Sequence, residues 1–293
     1  MNHQHTNKYP ILFTAFRAWW SDSAAQNCAS FHWIFMILLF FASSIAISIP
    51  FGANRWRDAR LMSQSDQYPG LGYAFEALAH APVSFRIING TLQLDQPAPF
   101  TLTAKDWLIE LGSTTDHSAS THRVFQLSTS ALLIRNGSTG AQVHSSLQPF
   151  EGLSSDILKG AAENRRILAN LIEGILYTAA FSSIPSILLT LGLLMLVQNL
   201  AFVVILGIML SFAVYGKAPG LKEMGTSTVQ KLKPLEGIKM ATAIMAGPAF
   251  LVGLVGLFIP AFKAPFLWLA YSLLAGIRVI MLYTSRYRSA RTS

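Results

Sequence analysis

The chain has 293 residues, is 52% hydrophobic and only 12% charged, and carries a net charge of +8. A soluble domain carries about 25% charged residues, so this composition, with a mean hydropathy of +0.42, argues for an integral membrane protein. From Phe51 to Ala169 ten Lys/Arg balance ten Asp/Glu, which leaves the whole basic excess elsewhere in the chain. That distribution speaks against a nucleic-acid partner, which would need one basic folded face.

Residues 1–31 form the N-terminal segment. Its stretch "YPILFTAFRAWW" mixes aromatics with Arg17, which suits a short helix at the membrane interface with Trp19 and Trp20 at headgroup depth. Cys28 is the single cysteine, so neither an intrachain disulfide nor a cysteine metal cluster can form. The first span is expected over 32–50, because "HWIFMILLFFASSIAISI" is long enough to cross a bilayer and carries no acid, Lys or Arg. No small-x-small cleavage site follows it, so it reads as an uncleaved anchor.

From 51 to 160 the composition shifts to Ser, Thr, Asn, Gly and Pro around short apolar runs. A helix is expected over 72–81. Strands are expected at 84–88, 91–94, 100–103, 107–111, 123–128, 131–135 and 141–145, making a small antiparallel sheet. Two of these runs lead into Asn-Gly, at Asn89-Gly90 and Asn136-Gly137. Both pairs also fit the N-x-Ser/Thr glycosylation pattern. Asn and Gly both tolerate the φ > 0 that two-residue hairpin turns require, and the turn explains both residues where the glycosylation pattern needs only Asn, so the turn is the preferred reading.

Over 161–186 the spacing of Ile167, Leu168, Leu171, Ile172, Ile175 and Leu176 marks one helical face, with Glu163, Arg166, Asn170 and Glu173 opposite. Pro185 ends that helix or starts the next. This segment is either an amphipathic interfacial helix or an extra span. The C-terminal region, 187–293, holds uncharged spans at about 187–215, 238–260 and 265–284. A basic loop (Lys217, Lys222, Lys231, Lys233) separates the first two, and Arg286, Arg288 and Arg291 mark the tail.

Basic residues in short loops mark the cytoplasmic side, so the loop and the tail should both face inward. If 171–215 crosses once, the chain has four spans and the 51–160 domain lies outside. If it crosses twice, there are five spans and the orientation reverses, at the cost of placing Glu173 in the membrane. Arg55, Arg57 and Arg60 favour an inside domain, with Asp58 diluting them. The expected fold is an α-helical multi-pass membrane protein of four spans, five being the alternative, with an inserted β-rich extracytoplasmic domain.

The order of parts, with "FRIINGTLQL", "WLIELG", "GIKMATAIMAGPAFL" and the closing "FLWLAYSLLAGIRVIMLY", resembles the bacterial membrane-protein family catalogued as domain of unknown function 1189. The membrane half is loosely similar to Yip1-type proteins. The resemblance covers most of the chain and implies no catalytic residues. Members carry a strongly basic N-terminus, whereas this chain has only Lys8 and Arg17 there.

Candidate chemistry is sparse. "DHSASTH" brings Asp116, His117 and His122 into one loop, but a zinc site needs three or four convergent ligands, and a solvated loop is the simpler reading. No HExxH, GxSxG, P-loop or GxGxxG motif occurs, so no catalytic, cofactor or metal residue is assigned. Gln198 and Asn199 fall mid-span, where amides call for helix–helix hydrogen bonds. Arg278 and Lys239 lie near span ends, within snorkelling reach of headgroups. The functional expectation is a non-enzymatic accessory or scaffold protein of the plasma membrane. Its outer domain would bind another membrane or envelope protein or an envelope component. A small channel or transporter using Gln198, Asn199 and Arg278 is the alternative, and a hydrolase has the least support.

Overall fold

The computed structural model describes residues 10–115, 122–212, 214–215, 230–231, 233–259 and 264–291. Its helices are α1 (Ile11–Arg17), α2 (Asp22–Cys28), α3 (Trp33–Met62), α4 (Leu71–Ala79), α5 (Ser155–Ala162), α6 (Arg165–Phe181), α7 (Ile184–Ser211), α8 (Pro234–Phe258) and α9 (Ala264–Arg291). The strands are β1 (Phe85–Ile88), β2 (Thr91–Leu94), β3 (Phe100–Ala104), β4 (Trp107–Leu111), β5 (Arg123–Leu127), β6 (Ala131–Asn136), β7 (Ala141–Ser146), β8 (Val214–Tyr215) and β9 (Gln230–Lys231). Two compact units result, a helical one from Met1–Asn54 with Leu189–Ser293 and a β-rich one from Arg55–Leu188.

Among the described residues, four helical stretches are long and apolar enough to cross a membrane: α3, Arg165–Ser211, α8 and Phe266–Thr284. Helix α8 is the centre of the helical unit, with 67% of its most apolar window buried against 33–44% in the others. Its buried face is rich in small residues, among them Ala241, Ala246, Gly247, Ala249 and Gly253. Small side chains let backbones approach closely where lipid gives helices no hydrophobic reason to associate.

The contacts fix the helix directions. Lys239 meets Phe31, Gly253 meets Ala46 and Gly256 meets Pro50, so α3 runs parallel to α8. Gly207 meets Ile238 and Leu267 meets Gly256, so α7 and α9 start and end the opposite way. Helix α3 does not stop at the expected end of its span but continues through Pro50 to Met62. Pro50 has no N–H to offer the Ala46 carbonyl, and that oxygen lies against Gly253, where a Cβ would collide with it.

In the β-rich unit all seven strands lie within one residue of their expected positions. Their pairing differs from a simple antiparallel sheet. Strands β1 and β2 form a separate hairpin, and the five-stranded sheet β3-β4-β5-β6-β7 contains a parallel pair, β4 with β5. One sheet face carries Trp107, Ile109, Phe125, Leu132, Ile134 and Val143 into a core closed by α4 and α6. The rings of Phe75 and Phe125 meet edge to face at 5.0 Å, and Trp107 Nε1 donates to the Pro69 carbonyl at 3.2 Å. Helix α6 buries Leu168, Ile172, Ile175 and Leu176 in that same core. The structure thus places the face expected on a bilayer, or in an extra span, against the sheet.

The two Asn-Gly pairs differ. Asn89 and Gly90 both have positive φ, 53° and 68°, and close the β1–β2 hairpin as a two-residue turn. Asn136 is instead the buried last residue of β6, and Gly137 does not have positive φ. The register pairs Asn136 with Ala141, so four residues form the turn, and Gly140 takes the left-handed position at φ 72°. The Asn136 side chain ties this turn down, accepting from Ser138 Oγ at 2.7 Å and donating to the Gln67 carbonyl at 2.7 Å.

Candidate functional site

Asn199 lies in α7 and is buried, facing both α3 and α9. Tyr271 Oη donates to Asn199 Oδ1 at 2.5 Å, and Asn199 Nδ2 donates to Ser44 Oγ at 2.6 Å. Ser44 Oγ in turn donates to the Phe40 carbonyl at 2.9 Å, one turn back in its own helix. The run therefore ends on a backbone acceptor, with three helices joined along it. Its groups are a phenol, an amide, a hydroxyl and a backbone carbonyl, and among the described residues none of them is a base that would activate the Ser44 hydroxyl as a nucleophile. Gln198, one residue earlier and about 100° around the helix, is exposed. The expected interhelical bond belongs to Asn199 alone.

Arg278 does not snorkel. Its side chain is buried, and Nη2 donates to Asp22 Oδ1 at 2.6 Å, linking α9 to α2. Its Nε has no hydrogen-bond partner among the described residues. Lys239 donates from Nζ to the Phe31 carbonyl at 2.6 Å and lies 4.9 Å from the Trp33 ring centroid. Together these cations act as ties between elements. Reading single spans hid the partners Ser44, Tyr271 and Asp22. A signal for one existed, since Asp22 is the only acidic residue before Asp58.

The β-rich unit carries an open groove of about 780 Å³ lined by Ser63, Gln64, Ser65 and Asp66 on one side and by Asn170, Glu173, Gly174, Tyr177 and Thr178 of α6 on the other. Among the described residues no Lys or Arg lines it, and the carboxylates of Asp66 and Glu173 set the charge of that lining. Tyr177 is exposed and stacks on Phe181, with ring centroids 4.4 Å apart; Phe181 also meets Trp56 at 4.8 Å. Hydroxyls, amides, carboxylates and an aromatic face suit a polar or cationic binding partner.

At the β1–β2 hairpin, Asn89 and Gly90 donate their N–H groups to the two oxygens of Glu151, at 2.9 and 3.1 Å. These bonds hold the Glu151 carboxyl below the usual carboxylate range. Residues 116–121 of the Asp/His-containing loop lie outside the described residues, and among the described residues no group of three His, Cys, Asp or Glu is placed to hold a metal. Comparison with protein-family models, with curated proteins and with solved structures finds no match to this chain.

Proposed function

We propose that the chain is a non-enzymatic accessory or scaffold protein of the plasma membrane. It crosses the bilayer four times, presents its β-rich unit outside the cell, and binds a partner protein or envelope component there. Membership of the family of domain of unknown function 1189 is part of the same proposal and rests on the order of parts. The groove between Ser63–Asp66 and α6 carries the reading. It is an acidic, hydrogen-bonding concavity in a unit with its own apolar core, whereas the buried Asn199 amide is already engaged by Ser44 and Tyr271.

The orientation draws support from chain direction within the helical unit. Helix α3 leaves that unit at Asn54 and α7 returns at Leu189, both away from the end where Phe31, Lys239 and Gly207 gather. The basic 217–233 loop joins α7 to α8 at that latter end, and short basic loops stay cytoplasmic.

A photo-crosslinking residue at Glu173 or Tyr177 of the full chain, in intact cells, tests the site. One at Thr139, in the β6–β7 turn, serves as control. A single adduct formed at 173 and 177, absent at 139 and lost in Asp66→Lys, is the expected outcome. Equal adducts at all three positions would remove the groove from the argument. Ion flux through reconstituted vesicles that needs Asn199 would move the function to transport.

A further inference from the structure

Helices α1 and α2 sit deep against α8. Trp19, in the turn between them, packs its Cβ on Gly247, 2.9 Å from where a glycine Cβ would lie. Gly247 is about 20 Å along α8 from Pro234 at 1.5 Å per residue. Phe16 of α1 meets Phe250 farther along, with centroids 5.2 Å apart. At the other end Phe31 is held by Lys239, near the start of α8. The Asp22–Arg278 pair lies at an intermediate level, Arg278 being about 9 Å inside the Thr284 end of its apolar stretch.

The outer faces of the two helices differ in chemistry. Helix α1 exposes Ile11, Leu12 and Phe13, and Trp20 in the turn is also exposed. Helix α2 buries Ala24, Ala25 and Cys28 and exposes Ser23, Gln26 and Asn27. Asp22 keeps its side chain 43% exposed although it is ion-paired. An ionised carboxylate at that level cannot face hydrocarbon without a large desolvation cost.

We infer that α1 and α2 form a helical hairpin packed among the spans, with its α2 end reaching the side of the α7–α8 connection. The outer face of α1 rests on acyl chains. The polar face of α2 lines a water-filled recess that brings solvent to the Asp22–Arg278 pair. Non-helical backbone at membrane depth is tolerated where protein buries it, and Ala18 in the inter-helix turn is fully buried.

Cysteine accessibility in the full chain, reconstituted in lipid nanodiscs, tests this arrangement. The background is Cys28→Ala, and the reagent is a charged methanethiosulfonate. Single cysteines replace Leu12 or Phe13 on α1, Ser23 or Gln26 on α2, and Thr103 as the exposed control on β3. Positions 23 and 26 should react within about tenfold of position 103, and positions 12 and 13 about a hundredfold more slowly, because only a hydrated thiolate reacts. Rapid reaction at 12 and 13 would overturn the inference by placing the hairpin in water. Protection of 23 and 26 would overturn the recess, leaving that face covered by lipid or by protein.

Discussion

Arg278 on α9 and Asp22 on α2 are joined by a 2.6 Å hydrogen-bonded ion pair whose basic member is almost wholly buried. Removing one partner of a buried pair costs about 3–5 kcal/mol because the other charge is stranded. Asp22 is partly exposed here, so water can replace some of its role and Asp22→Asn should cost about 1–3 kcal/mol. Arg278→Leu combined with Asp22→Leu should recover part of that loss. Thermal unfolding in one detergent of the parent, Asp22→Leu, Arg278→Leu and the double variant measures the coupling, and additive losses would show that the pair is not a structural tie.

The Tyr271–Asn199–Ser44 run makes a graded prediction. Each interhelical bond is worth about 0.6–2 kcal/mol in a membrane setting. Asn199→Leu strands two neighbours and should lower stability more than Tyr271→Phe or Ser44→Ala. Gln198→Leu should change little, because Gln198 is exposed. Equal losses for Gln198→Leu and Asn199→Leu in detergent would contradict this assignment.

How much of this was legible depended on how local each feature is. Strand positions could be read because alternation and turn residues are local, and β1 to β7 fall within a residue of the expected runs. The parallel β4–β5 pairing could not, since it joins Trp107 to Arg123 across an intervening segment. Periodicity gave the apolar face of α6 but not its partner, because a bilayer and a sheet make the same demand on Ile172 and Leu176. The amide pair Gln198-Asn199 was visible as a site, yet only helix rotation decides which of two neighbours points inward. Asn136-Gly137 looked like Asn89-Gly90, and register alone moved the left-handed residue to Gly140.

The crossing of α7 and α8 rests on two glycines. A Cβ on Gly207 would lie 2.6 Å from the Ile238 Cα, and one on Gly237 would collide with the Gly207 carbonyl. Backbone atoms cannot move aside as a side chain can, so Gly207→Val should cost about 1–3 kcal/mol. Gly192, in the same helix, has open space around it, and Gly192→Ala should stay within about 0.5 kcal/mol of the parent. Detergent melting of both variants checks the contrast, and equal melting temperatures would dissolve the close crossing.

The turns separate by substitution. Gly90 has φ 68°, and a Cβ there would press on the Gln148 side chain, so Gly90→Val should destabilise the hairpin by about 1 kcal/mol or more. Gly140→Val should do likewise through its φ of 72°, whereas Gly137→Ala, at a φ that is not positive, should cost less. Limited proteolysis of the full chain, scored at the β1–β2 and β6–β7 turns, distinguishes them. Cleavage after Gly137→Ala as fast as after Gly140→Val would return the left-handed position to Gly137.

Glu151 gives the hairpin a dependence on acid. Its carboxylate accepts the Asn89 and Gly90 N–H groups, and those two bonds lower its pKa from the ordinary value of 4.5. Because the folded pKa is depressed, the favourable contribution is complete above the ordinary value and disappears as pH falls through the lower, folded one. The carboxylate is solvent-exposed, so the consequence is local loosening of the turn rather than unfolding. In nuclear magnetic resonance titrations the amide protons of Asn89 and Gly90 should shift together with a midpoint below 4.5, the value ordinary for this side chain. Glu151→Gln should abolish that titration and leave both amides near their acid-limit positions at neutral pH, since a neutral amide oxygen is a weaker acceptor than a carboxylate. A midpoint at or above the ordinary value would mean that the two N–H groups do not clasp the charged form, and that the turn is held by Asn89 and Gly90 alone.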